Sequence, residues 1–240
     1  MSESNIVTVA TLRPFGCELT TLAQADGSAI WKSGGTSVLA SLHGPAAPRQ
    51  ASLEQPYAQV SIVVAGRTNE NLASDQEEWE PLLRNVLECC IHVEQYPRSV
   101  IQVICHVLSN DGSALAACVH AAVAALMDGG IALRQLPTAA SIRVLQKNGV
   151  YHLSLDPDAE QEQDTDLPPQ EEPSALLCLI VGQDTVHNDA LVTLAAHSRG
   201  GRAPLAIWGT AVSLAERARP ALTNFMKMAV QQKLQARNNE

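Results

Sequence analysis

Histidines, cysteines and clustered carboxylates are the side chains best suited to nucleophilic, acid–base or metal chemistry. Their placement along this 240-residue chain favours none of the three. The seven histidines are dispersed, and His92, His106 and His120 lie in apolar stretches, where a core or strand-edge role accounts for them better than a catalytic triad. The six cysteines (Cys17, Cys89, Cys90, Cys105, Cys118 and Cys178) form no CxxC pair and have no histidine at zinc-finger spacing. Most sit inside apolar runs, as small buried hydrophobes do, which points to a reducing compartment and to no structural metal. Between Lys147 and Arg199 there is no Lys or Arg, yet that stretch holds ten of the 25 acidic residues. Seven of those ten are Asp158, Glu160, Glu162, Asp164, Asp166, Glu171 and Glu172. With Pro168 and Pro169 among them and no glycine of a metal-binding loop, 158–173 reads as a solvated acidic loop. The phosphate-cradling, zinc-protease and nucleophile-elbow patterns are all absent.

The elements that must position any site follow from hydrophobic periodicity. The net charge is -9, with 46% hydrophobic and 17% charged residues, enough apolar material for a sizeable core. No apolar run reaches the roughly 18 residues of a spanning helix, and the first residues lack the basic and apolar regions of a secretory signal. An acidic chain is a poor nucleic-acid binder by itself, so contact with RNA would need a local basic patch or a partner. A hairpin is predicted over 28–33 and 36–43, turning on Gly34-Gly35 and ended by Gly44-Pro45, with a further strand over 59–66. Trp79, Leu82, Leu83, Val86, Leu87 and Cys90 recur at helical spacing in a helix that Pro97 should stop. A strand over 99–111 then leads into SALAACVHAAVAALMDGG, apolar almost all round and therefore a buried helix closed by Gly129-Gly130. A second cycle follows: a hairpin turning on Asn148-Gly149, an apolar strand SALLCLIVG, and a helix over 184–201 with Asp184 or Thr185 at its N-cap. A C-terminal helix over 209–236, broken or kinked at Pro220, carries Arg217, Arg219, Lys227 and Lys233 on its polar face. The order predicts an α/β chain made of two related strand–helix halves.

Three segments carry a more specific likeness. LRPFGCELTTLAQADGSAIWKSGGTSVLASLHGPAAPR (12–49) has an Arg13-Pro14 opening, Asp26–Ala29 feeding a strand, a Gly35-Thr36 turn and a strand ending in Gly44-Pro45. YPRSVIQVICHVLSNDGSALAACVHAAVAALMDGGIAL (96–133) has a strand, a turn and a buried helix ending in Asp-x-Gly-Ile, and VYHLSLDPDAEQE (150–162) opens the second half with Asp-Pro. In this order and spacing they resemble the RNase PH family. The resemblance implies one RNase PH-like domain over 1–240, with the acidic stretch 158–173 as a loop insertion.

It also implies a phosphorolytic site, which this sequence does not preserve. Active members carry Asp-Gly-Gly-Thr-Arg or a close variant before the central helix; here the turn reads Asp111-Gly112-Ser113-Ala114-Leu115. Ser113 retains a hydroxyl, but Leu115 stands in the place of a phosphate-binding guanidinium, and an apolar side chain cannot replace a charge-assisted contact. The second acid position falls near Pro173 or Ser174, while Asp156 and Asp158 read as turn formers. The implied role is a ring subunit of the eukaryotic RNA exosome with no catalytic residues, no metal and no cofactor. Its expected partners are other RNase PH-like chains in a six-member ring, exosome cap proteins and RNA, and its expected place is the nucleus, nucleolus and cytoplasm. Arg67, Arg84 and Arg98 are the candidate RNA contacts, though Glu88 lies one turn beyond Arg84. Two other classes remain open: a residual phosphorolytic or metal-dependent nuclease using Asp111 or Asp156 with Asp158, and a homodimeric scaffold outside the exosome.

Overall fold

The computed structural model describes residues 6–47, 57–66, 70–147, 149–163, 174–184, 190–200 and 203–238. Two five-stranded sheets and three long helices share one core. The first sheet contains β2 (Phe15–Leu19), β3 (Gly27–Ser33), β4 (Thr36–Ala46), β5 (Gln59–Gly66) and β6 (Val100–Ser109), in the order β2-β3-β4-β6-β5. Strands β5 and β6 are parallel, joined by the crossover helix α1 (Glu70–Cys90). The second sheet contains β1 (Ile6–Val9), β7 (Thr138–Lys147), β8 (Val150–Leu155), β9 (Ser174–Asp184) and β10 (Ala190–Gly200), in the order β1-β8-β7-β9-β10. Between the sheets lies α2 (Ala114–Asp128), buried from Ala114 to Leu126, as its all-round apolar sequence requires. On its flank Trp31 stacks on Phe15 and meets Phe225 and the ring of His120.

Most expected elements are present, with four differences. Of the segment 184–201, expected to be a helix, the described residues are strands: β10 pairs antiparallel with β9 from Ala190↔Asp184 to Gly200↔Ala175. A register shift between Thr193 and Ala195 leaves Leu194 and Ala195 both half-buried. That bulge turns an alternating strand into an apolar doublet, which mimics helical spacing in the sequence. Second, the C-terminal helix α4 (Leu205–Asn238) starts earlier than expected and runs through Pro220 as one element. Its buried stripe of Ile207, Ala211, Leu214, Ala215, Ala218, Leu222 and Met226 continues on both sides of the exposed proline, so packing carries the helix across a missing N–H. The expected polar face is also partly engaged: Arg219 bonds to Gln183 of β9, and Lys233 reaches Asp128 at the end of α2 at 2.6 Å.

Third, α1 ends at Cys90 and a short 3-10 turn over Val93–Gln95 follows, so Pro97 is not what stops it. Fourth, the acidic stretch does not begin as a solvated loop. A five-residue helix, α3 (Ala159–Gln163), lies within it, with Asp158 Oδ1 accepting from the Gln161 N–H at 2.9 Å as its cap. The remainder of that stretch, 164–173, lies outside the described residues, as does Asn148 of the expected turn.

Candidate functional site

Four chain segments meet where the two sheets come together: the stretch around Arg13, the β3–β4 turn, the β6–α2 turn and the β8–α3 turn. Arg13 ties them. Its guanidinium donates to the backbone carbonyl of Asp111 at 2.6 Å, to that of Gly112 at 3.2 Å, and to Asp156 Oδ1 at 2.9 Å. The Arg13 N–H and the Ser33 hydroxyl both donate to Asp156 Oδ2. Burial by itself would raise the Asp156 pKa, but the hydrogen bonds and charge of Arg13 outweigh it and hold this carboxylate below its ordinary range. The side chains of Arg13 and Asp156 are only 17% and 10% exposed, so the pair is an internal one. Asp156 is therefore a buried anchor with a left-handed backbone (φ 54°), where the sequence suggested an exposed turn former.

The turn Asp111-Gly112-Ser113-Ala114-Leu115 lies at the head of α2, and its polar groups are already engaged within the chain. Asp111 Oδ2 accepts from the Gly35 N–H at 3.2 Å, while Thr36 Oγ1 donates to the Gly112 carbonyl and accepts from the Asp111 N–H. The Ser113 hydroxyl, expected to be available, is buried and donates to the Pro157 carbonyl at 3.1 Å. Leu115 is 4% exposed and packed in the core. Gly112 permits this crowding: at φ 86° it has a backbone few side chains tolerate, and a Cβ there would lie 2.5 Å from the Pro157 carbonyl oxygen.

On the other side of the same turn, Trp79 of α1, Ser113 and Leu115, Glu162 of α3, and His197 and Arg199 of β10 line a cavity of about 40 Å³. His197 Nε2 lies 3.1 Å from Glu78 Oε2, linking β10 to α1 beside it. Of the residues lining the cavity, Ser113, Ala114 and Leu115 belong to the turn singled out in the sequence. Arg199 carried one usable signal, being the first basic residue after Lys147. Glu162 was hidden among neighbouring acids.

Two of the three candidate RNA-contacting arginines fall among the described residues. Arg84 is exposed on α1, and Arg98, also exposed, precedes β6 with a left-handed backbone (φ 56°). Arg67 lies outside the described residues. Among the described residues no three His, Cys, Asp or Glu side chains converge as a metal site would need.

The family model for RNase PH, "3' exoribonuclease family, domain 1", matches residues 11–132, which include the whole first sheet, α1, α2 and the Asp111–Leu115 turn. The chain is 33% identical over 152 residues to a rice protein named "Exosome complex exonuclease RRP46 homolog", covering 63% of this chain and 62% of that one. The match thus spans less than two thirds of that relative. It is 31% identical over 185 residues to a "Putative exosome complex component RRP41" of Caenorhabditis briggsae, covering 74% and 73%. Among solved structures, rice Rrp46 superposes with a TM-score of 0.76 at 25% identity, covering 92% of this chain and 96% of that one. A chain of an archaeal exosome core shares the fold, with a TM-score of 0.66 at 19% identity over 90% and 87% of the two chains. With half its length matched by the family model and the α2 turn inside that match, the chain belongs to the RNase PH family of 3′ exoribonucleases.

Proposed function

We propose that this chain is a ring subunit of a eukaryotic RNA exosome core that supports 3′-to-5′ RNA processing and decay without cleaving RNA itself. The observation that carries this reading is the self-satisfied turn at the head of α2. Phosphorolysis needs a hydroxyl, amide groups and a guanidinium turned toward a phosphate, plus an acid for the leaving 3′-oxygen. Here the Ser113 hydroxyl is spent on Pro157, Leu115 is in the core, and Asp156 is paired with Arg13. The likeness to rice Rrp46 over nearly the whole chain supports the ring assignment. Open sheet edges support assembly with other RNase PH-like chains: β1 closes one end of its sheet with Val7 and Val9 about half exposed. Cap proteins and RNA are the further partners of this reading, with Arg67, Arg84 and Arg98 as RNA contacts, and the nucleus, nucleolus and cytoplasm as its location.

A second reading rests on the word "exonuclease" in the rice relative's name: residual cleavage by this chain. Affinity capture of the tagged full chain, with identification of what accompanies it, tests the assembly; five other RNase PH-like chains are expected, and a homodimer alone refutes the ring. Incubating the purified chain with 3′-labelled RNA, with and without phosphate and divalent metal, tests catalysis. Release of nucleotides above that of a Ser113→Ala, Asp111→Ala control refutes the non-catalytic part.

A further inference from the structure

The N-terminus of α2 is 15 residues from the helix's other end and receives no help from its own cap. Ser113 sits there in a left-handed conformation (φ 56°) and makes no side-chain capping bond. The first N–H groups of any helix have no partner inside it and carry partial positive charge, so they need an acceptor from elsewhere. One is supplied by α3. Glu162 Oε1 accepts from the Ser113 N–H at 2.6 Å, the short distance of a charge-assisted bond. The positive charges of Arg199 and Arg13 act on the same carboxylate. Opposite it, the indole of Trp79, 6% exposed, lines the same cavity with its Nε1–H unpartnered. A helix N-terminus, an arginine and an orphan donor around one small cavity are the components of an oxyanion site. The group occupying it belongs to the chain.

We propose that Glu162 is a built-in substitute for a bound oxyanion: its carboxylate plugs the head of α2 and shuts out inorganic phosphate. The inference rests on the non-catalytic reading above and adds a physical cause beyond the missing guanidinium at position 115. The plug is held by more than one bond. Asp158 caps α3, the Ser113 hydroxyl grips the Pro157 carbonyl, and Gly112 lets the 157–159 backbone approach the turn. Burial pushes the Glu162 pKa up, the cost of keeping a carboxylate out of water. A cavity of about 40 Å³ suits a small free anion better than the backbone of an RNA strand, so free phosphate is the ligand to test.

The experiment titrates inorganic phosphate into the full chain and its variants by calorimetry, with circular dichroism confirming the fold. The wild-type chain should show no saturable binding at up to tens of millimolar phosphate, whereas Glu162→Ala should bind it saturably at least about tenfold below that limit. Adding Arg199→Ala to that variant should abolish the gain. Equal phosphate affinity in wild type and Glu162→Ala overturns the proposal, and so does a folded Glu162→Ala chain that gains none. If Glu162→Ala does not fold, the wild-type chain still tests the idea. Its Ser113 amide resonance should stay fixed as phosphate rises to tens of millimolar, and a saturable shift there overturns it. Phosphate-dependent shortening of RNA by the wild-type chain would refute the non-catalytic reading, whereas phosphate binding by Glu162→Ala tests the plug alone, so the two can fail separately.

Discussion

Asp156 offers the sharpest test of the account of the site. Replacing it with Asn keeps the shape and one acceptor oxygen but removes the charge facing Arg13. The guanidinium would then lie 17% exposed with its buried carboxylate partner gone, although a 3.5 Å ion pair with the more exposed Asp111 and the bonds to the Asp111 and Gly112 carbonyls would remain. Breaking a buried pair by removing one partner costs about 3–5 kcal/mol. The retained carbonyl contacts place Asp156→Asn at the lower end, about 3 kcal/mol, or more than a hundredfold in the unfolding equilibrium. Urea denaturation of wild type and variant at neutral pH measures this. The pH dependence adds a second constraint. Because Arg13 depresses the folded-state pKa of Asp156 below its ordinary 3.8, the stabilisation is fully present above that value and is lost as pH falls through the lower, folded one. The gap between wild type and Asp156→Asn should therefore narrow in acid. A neutral-pH difference below about 1 kcal/mol, or a gap unchanged on acidification, would show that the pair is a surface contact of little weight.

Other perturbations test other parts of the same argument. Gly112→Ala should destabilise the chain by more than about 1 kcal/mol, read from the denaturation midpoint, because its φ of 86° and the nearby Pro157 carbonyl leave no room for a Cβ. His120 is buried, accepts a bond from the Ala139 N–H, and has its pKa pushed down to about 4 by burial, against the opposing pull of Asp156. The unfolded chain takes up that proton below 6.5 and the folded chain resists it, so about 3 kcal/mol should be lost between pH 6.5 and 4; in thermal melts, His120→Gln should flatten the curve over that window. In a reconstituted ring, Arg84→Ala should change RNA affinity by less than about threefold, roughly 0.6 kcal/mol. Arg67, Arg84 and Arg98 changed together to Glu should weaken RNA protection and flatten its salt dependence, and identical footprints would place all three away from RNA.

How much of this was legible depends on the range of the forces involved. The buried helix α2 was readable because every face of 114–126 is apolar, and the β3–β4 hairpin because its Gly-Gly turn interrupts two runs of strand-forming residues. Strand β10 was not, because one bulge at Leu194 gives a strand the spacing of a helix, and pairing with β9 is a decision made by residues outside the window. The break that was one of two outcomes expected at Pro220 is absent for a related reason. A local rule says that proline breaks a helix, and the rule yields when Ala218 and Leu222 bury themselves on either side of it.

At the site the asymmetry is deeper. A missing group can be seen in one dimension: the resemblance puts an arginine where this sequence has Leu115. What fills the space left behind cannot, since Arg13 and Asp156 are 143 residues apart and Glu162 meets Ser113 across 49. An anion site works only while its positive groups are uncompensated. Arg13 here is matched by Asp156 and two carbonyls, and the Ser113 amide by Glu162. Restoring an arginine at position 115 would therefore place one cation beside a site that already holds an anion of its own. On the reading proposed above, a silent site here is a change of occupant rather than an empty pocket, and a phosphorolytic variant would need Glu162 removed as well as Leu115 replaced.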